Sequence, residues 1–121
     1  MRKKILLVDD MVTITRLEKL LLGDAFEYLE ARDGEQAFAC AQANQPDLIL
    51  MDLNMPVKNG IEGLRSLKAD PATAPIPVVI VTTRSEADVF SLCRSLGCAG
   101  FVTKPIDREE INVTVKRLLG A

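Results

Sequence analysis

KKILLVDD (residues 3–10) and DLILMD (residues 47–52) decide the fold of this chain, because each is a short apolar run closed by acid. The second is almost entirely apolar, as a central strand buried on both faces of a parallel sheet should be. If the two runs are neighbouring parallel strands, Asp9, Asp10 and Asp52 meet at one edge of the sheet. Two carboxylates ~4 Å apart at an effective dielectric of ~20 repel by ~4 kcal/mol. A cation must offset that repulsion, so the spacing points to a divalent-metal site with one carboxylate left over to react.

Outward from these runs, short apolar stretches alternate with helical patterns five times, the signature of a parallel sheet wrapped by helices. Strands are expected at 4–8, 27–31, 48–51, 78–81 and 100–102. Ile14, Leu17 and Leu21 recur at helical spacing after the first strand, and Gly23 stops that helix. Asp33 reads as an N-cap with Gln36 as its reciprocal partner, opening a helix that ends near Asn44 and Pro46. Residues 60–69 carry Ile61, Leu64 and Leu67 on one side, and DPATAPIP (70–77) is loop because three prolines in seven residues forbid either ladder. Ser85 to Asp88 resembles a capping box for a helix reaching Leu96 and stopped by Gly97. Asp107 caps the last helix, whose Ile111, Val115, Leu118 and Leu119 form one stripe.

The expected architecture is therefore α/β, a single (βα)5 domain over residues 1–121 with a doubly wound, parallel, five-stranded sheet. Right-handed crossovers give the strand order 2-1-3-4-5, with strands one and three side by side at the topological switch point where ligands bind. Asp9, Asp10, Asp52 and Thr82 all fall at that carboxyl edge.

Composition narrows the chemistry. A chain of 121 residues with 48% apolar content builds one core and leaves no room for a second folded unit. A net charge of -2 argues against a duplex-binding face, and Tyr28 with four phenylalanines is too sparse for base stacking. Cys40, Cys93 and Cys98 make an odd count with no CxxC pair, so they read as apolar fillers in a reducing cytoplasm. The basic N-terminus turns acidic before a signal peptide or membrane span can form. No histidine occurs, which removes Ser-His-Asp and Cys-His pairs, HExxH zinc sites and a phosphohistidine on this chain.

A hard ion such as Mg2+ takes octahedral oxygen ligands, usually one or two carboxylates with waters and a phosphate oxygen. Asp9 or Asp10 together with Asp52 meets that demand. Thr82 at the end of the fourth strand offers a hydroxyl donor, and Lys104, followed by Pro105, offers a point charge for a phosphate oxygen. An acidic pair after a strand is by itself no more than a helix N-terminus favoured by the dipole. Four strand ends converging on one acidic and basic cluster ask for phosphoryl chemistry.

The combination of VDD (8–10), LILMDLNMP (48–56) with Gly60 eight residues past Asp52, IVTT (80–83) and FVTKP (101–105) resembles the receiver domain of two-component response regulators, over essentially the whole chain. The resemblance implies a flavodoxin-like fold, and chemotaxis receivers are themselves a standard example of the order 2-1-3-4-5. It further implies that Asp52 accepts a phosphoryl group from a phosphohistidine on a sensor histidine kinase or histidine phosphotransfer protein. Asp10 would be a direct Mg2+ ligand, Asp9 a closer or water-mediated one, and the backbone carbonyl of Asn54 a third. Thr82 and Phe101 would be the switch residues, and the face of helix four, strand five and helix five the surface for an unidentified downstream protein or a weak dimer. A cytoplasmic signalling protein, neither an enzyme with an external substrate nor a direct nucleic-acid or membrane binder, is the expectation.

Departures from the family pattern concern lifetime and partner. Lys58 and Asn59 make the loop beside the site more basic than usual, and Thr83 is bulkier than the small residue common there. Asn54 and Arg84 stand at positions associated with dephosphorylation rate, and Arg84 is expected to shield or pair with the phosphoryl group. Two other readings share parts of this pattern. A flavin protein of the same fold would place a phosphate after strand one, where Asp9 and Asp10 repel it. A Mg2+-dependent aspartyl-phosphatase-type hydrolase also uses a strand-end Asp nucleophile but wants a general acid two residues on, where Asn54 cannot donate the proton.

Overall fold

The structure, a computed structural model, describes residues 2–55, 59–83 and 87–120. Lys58, Arg84, and Ser85 and Glu86 of the expected capping box lie outside the described residues. Five strands and five helices alternate: β1 Lys4–Val8, α1 Val12–Leu22, β2 Glu27–Ala31, α2 Gly34–Asn44, β3 Leu48–Asp52, α3 Gly60–Ala69, β4 Val78–Thr82, α4 Ala87–Ser95, β5 Gly100–Thr103 and α5 Arg108–Leu119. All ladders are parallel, in the order β2-β1-β3-β4-β5. Strands β3, β4 and β5 each run one residue further than the spacing predicts, and α4 ends one residue sooner, before Gly97 at φ 99°.

Alternation along the strands feeds two cores. Leu6, Val8, Ile49, Met51, Val78 and Ile80 face Ala37, Ala41, Leu64, Leu67 and Cys93 of α2, α3 and α4. Ile5, Leu7, Leu48, Leu50, Val79, Val81 and Val102 face Leu22, Ile111 and Val115 of α1 and α5. Burying each such aliphatic chain contributes about 1.5–3 kcal/mol, so the central strands, buried on both faces, anchor the domain. The cysteines are free; Cys93 is buried, and Cys40 and Cys98 pack at the margin of the first core.

Local signals place the helix starts. Asp33 accepts from the Gln36 N–H at 2.8 Å, as expected, but the Gln36 side chain takes the N–H of Arg32 at 2.9 Å rather than that of Asp33. Asp33 is fully extended, which points its own N–H away and leaves that of Arg32 to the glutamine. Asn59 and Glu62 form a complete capping box for α3. Along α1 the deepest positions are Thr15, Glu18 and Leu22, while Ile14, Leu17 and Leu21 are half-buried. The helix lies against both the sheet and α5, so its apolar residues flank the line of closest approach instead of occupying it.

Candidate functional site

Register brings the acidic residues together. Val8 pairs with Met51, so Asp9 and Asp52 leave adjacent strands at the same level. The carboxylate oxygens of Asp9, Asp10 and Asp52 all lie within 4.8 Å of one another. Asp9 and Asp52 are 2% and 4% exposed, whereas Asp10 faces solvent. Gly60 makes the strand end possible: a Cβ there would stand 2.3 Å from the carbonyl oxygen of Asp52, and its N–H donates to the Leu53 carbonyl at 3.1 Å. Any larger residue would push α3 away from the end of β3.

The cation among these acids is Lys104. Its N–H donates to the Thr82 carbonyl at 3.0 Å, continuing the β4–β5 ladder, and its Nζ donates to Asp9 Oδ2 at 3.0 Å and Asp52 Oδ1 at 3.1 Å. The Lys104–Pro105 peptide bond is cis. Burial works against the charge on Lys104, but the bond to Asp9 and the charge of Asp52 hold its pKa above the ordinary lysine value. Asp52 is pushed up, first by burial and then by Asp9 and Asp10, against the pull of Lys104. Thr82 lies one residue beyond Val81, the register partner of Asp52, and is fully buried. Asn54 is exposed on the loop after β3.

Two residues of this neighbourhood carry no spacing signal. Arg32, just past β2, donates to the Asp9 carbonyl oxygen at 3.0 Å, to Thr15 Oγ1 at 3.2 Å and to Glu30. Glu30 also accepts from Lys19 and Thr15, and the Lys19 bond leads in holding its pKa down at about 2. The network clamps the main chain that carries Asp9. Glu18 is 2% exposed, and its Oε1 has no hydrogen-bond partner. Burial, then the charge of Asp9, pushes its pKa up to about 8.

Phe101 stands apart from the acids. Its ring packs on Phe90 at 4.6 Å between centroids, and the Arg94 guanidinium lies 5.7 Å from the ring centre. It is half-buried at the edge of the first core. Among the described residues, no helix is long and apolar enough to cross a membrane.

Three carboxylates on two adjacent strand ends, with oxygen the only donor atom offered, fit a hard divalent cation. Residues 5–116 match the response regulator receiver domain family. The chain is 35% identical to Protein PilH of Pseudomonas aeruginosa, over 96% of this chain and 97% of that protein. It is 32% identical to the polar-differentiation response regulator DivK of Brucella anthropi, over 99% and 98% of the two. It is 36% identical to the phosphate regulon transcriptional regulatory protein PhoB of P. aeruginosa, of which it spans only 52% while 97% of this chain is matched. The high-resolution structure of the chemotaxis response regulator CheY4 of Vibrio cholerae superposes with a TM-score of 0.89 at 30% identity, over 98% of this chain and 99% of that one. With the strand order, the acidic strand ends and these relatives in agreement, the chain belongs to the response regulator receiver family, the signalling modules of two-component systems.

Proposed function

We propose that residues 1–121 form one receiver domain in which Asp52 takes a phosphoryl group from a phosphohistidine of a histidine kinase or phosphotransfer protein. The observation that carries this reading is a nearly buried carboxylate, Asp52, held by Lys104 within 4.8 Å of two further acids at a sheet edge. An Asp52 oxygen forms the new O–P bond as the N–P bond of the donor breaks, and the electron pair of that bond leaves on the imidazole nitrogen. In this reading Lys104 turns from the Asp52 carboxylate to a phosphoryl oxygen, and the Thr82 hydroxyl donates to another. Asp9, Asp10, Asp52 and the Asn54 carbonyl would hold Mg2+, which supplies neutralisation of the phosphoryl oxygens. Catalysis is then positioning and electrostatics.

Phosphorylation exchanges a charge of -1 for roughly -2 beside Thr82, if an aspartyl phosphate behaves as other phosphorylated side chains do. Inverting a switch from 1:99 to 99:1 takes ~5.5 kcal/mol of differential stabilisation, within reach of a few charge-assisted hydrogen bonds. Thr82 and Phe101 are the proposed relay to a partner surface on α4, β5 and α5 of a cytoplasmic protein that is a monomer or weak dimer. Incubation with Mg2+ and acetyl phosphate, followed by intact mass, tests the site: one phosphoryl adduct is expected. An adduct that persists in Asp52→Asn or forms equally well in EDTA would falsify the assignment.

A further inference from the structure

The C-terminal end of α4 sets two cysteines against each other. The Gly97 N–H donates to the Arg94 carbonyl at 3.0 Å and the Cys98 N–H to the Cys93 carbonyl at 3.1 Å, with Gly97 at φ 99°. These two bonds around a positive-φ glycine form a Schellman motif, which frequently brings its outermost side chains into apolar contact. Here those side chains are Cys93 and Cys98. Both belong to the first core, Cys93 fully buried and Cys98 packed at its margin. Across the 3.1 Å bond, standard main-chain dimensions hold the two Cα atoms no more than about 7 Å apart. Disulfides span Cα separations of about 4.4–6.8 Å. The interval CxxxxC carries no motif, so the helix end alone makes the two residues neighbours.

The turn is braced on one side and reachable on the other. The Lys68 stem lies 3.6 Å from where a Cβ on Gly97 would stand, and its Nζ donates to the Ala74 and Ile76 carbonyls at 2.8 Å. The Ala99 N–H donates to the Val78 carbonyl at 2.7 Å, which fixes the chain after Cys98 as it enters β5. A cleft of about 350 Å3 opens on Cys98 beside Arg94 and Arg117. A small oxidant can enter there, whereas Cys93 is sealed in the core behind. Burial first, and then Cys93, push the Cys98 thiol up, against the Gly100 N–H and the cations Arg94 and Lys68. Thiolate is therefore scarce at neutral pH, and attack by this sulfur is slow.

We propose that Cys93 and Cys98 are a redox modification site, which hydrogen peroxide oxidises to an intramolecular disulfide across the last turn of α4 and glutathione reopens. The Cys98 thiolate attacks one peroxide oxygen, the O–O bond breaks, and its electron pair leaves as hydroxide, which takes up the proton Cys98 lost. Cys98 is then a sulfenic acid. The Cys93 sulfur attacks the Cys98 sulfur, the S–O bond breaks, and the hydroxyl leaves with the Cys93 proton as water. Two thiols and one peroxide thus give one disulfide and two waters. In a reducing compartment such bonds are transient, catalytic or sensing. The ring closed from residue 93 to 98 constrains the unfolded chain far less than a long loop does, which suits a reversible bond. The pair lies before the first residue of β5, while Lys104 follows the last, so the site does not depend on the receiver chemistry.

The test exposes the reduced full chain to hydrogen peroxide, quenches in acid, and alkylates the remaining thiols under denaturing conditions before mass spectrometry. Intact mass should fall by two hydrogen atoms before alkylation, with Cys40 alone alkylated. Trypsin cuts after Arg94, between the two cysteines, so a disulfide joins peptides 85–94 and 95–108. That linked pair is expected in the parent and in Cys40→Ala, and should vanish on treatment with glutathione. It should be absent in Cys93→Ala and in Cys98→Ala, the second serving because the first opens a small void in the core; circular dichroism verifies that both are folded. Its rate of formation should rise about tenfold from pH 7 to pH 8, as the thiolate fraction does. A link through Cys40, a dimer through Cys98, added oxygen on Cys98 with no linked peptides, or a link that forms only in urea each overturns the proposal.

Discussion

Asp52 and Glu18 are both nearly buried acids in one electrostatic neighbourhood, 4% and 2% exposed, yet they meet opposite circumstances. Asp52 has Lys104 at 3.1 Å, while Glu18 Oε1 has no hydrogen-bond partner. Burial raises the pKa of each. A cation within hydrogen-bond reach works against that at Asp52, and its absence lets Glu18 climb to about 8. Burial alone therefore does not set the state of an acid; the charge that opposes it does.

The contrast breaks most decisively at Asp52. Asp52→Asn is expected to abolish the phosphoryl adduct while the domain stays folded, read by intact mass and circular dichroism. Lys104→Ala comes next: loss of one preorganised donor to a transferring group costs roughly 10²–10³-fold. The rate of adduct formation in a time course measures it, and a rate within three-fold of the parent, roughly, would move the charge-stabilising role elsewhere.

Glu18 offers the opposite outcome, a gain. Because its folded pKa lies above the ordinary value of 4.5, the folded state binds the extra proton between pH 4.5 and about 8. Stability from this group is fully present below pH 4.5 and is lost as pH rises toward 8, on the order of 5 kcal/mol in all. Glu18→Gln should flatten that slope, so denaturant melts of parent and variant should diverge steadily from about pH 5 to about pH 8. Parallel curves would place the carboxyl in a wetter site than its burial indicates. Smallest of the four is Arg32→Ala, which releases the Asp9 carbonyl oxygen. A several-fold weaker Mg2+ dependence of adduct formation is expected, partly restored in Arg32→Lys, with a stability loss of about 1–2 kcal/mol.

The same contrast explains what is legible in the sequence. KKILLVDD and DLILMD place two strand ends and three aspartates, because a parallel sheet turns linear apolar runs into neighbours. Lys104 and Thr82 follow because each stands at a strand end. Glu18 does not, since it sits at a helical position whose apolar neighbours Leu17 and Leu21 suggest a different inward line. Its burial is set by α5 and the sheet together. Arg32 is equally silent: beside a turn it reads as surface, and only the fold brings the Asp9 carbonyl within its reach. The Asn59 cap does carry a signal, Asn with Glu three residues later, which a reading of residues 58–59 as a basic loop passes over.

Lys104 has one consequence for assembly of the chain. Its two carboxylate partners lie 95 and 52 residues away in sequence. Pairs so distant close late, because the entropy of looping the intervening chain is spent before they form. The acidic strand ends of a nascent or partly folded chain thus lack their counter-charge until β5 has docked, so the charge balance of this edge arrives with the completed sheet.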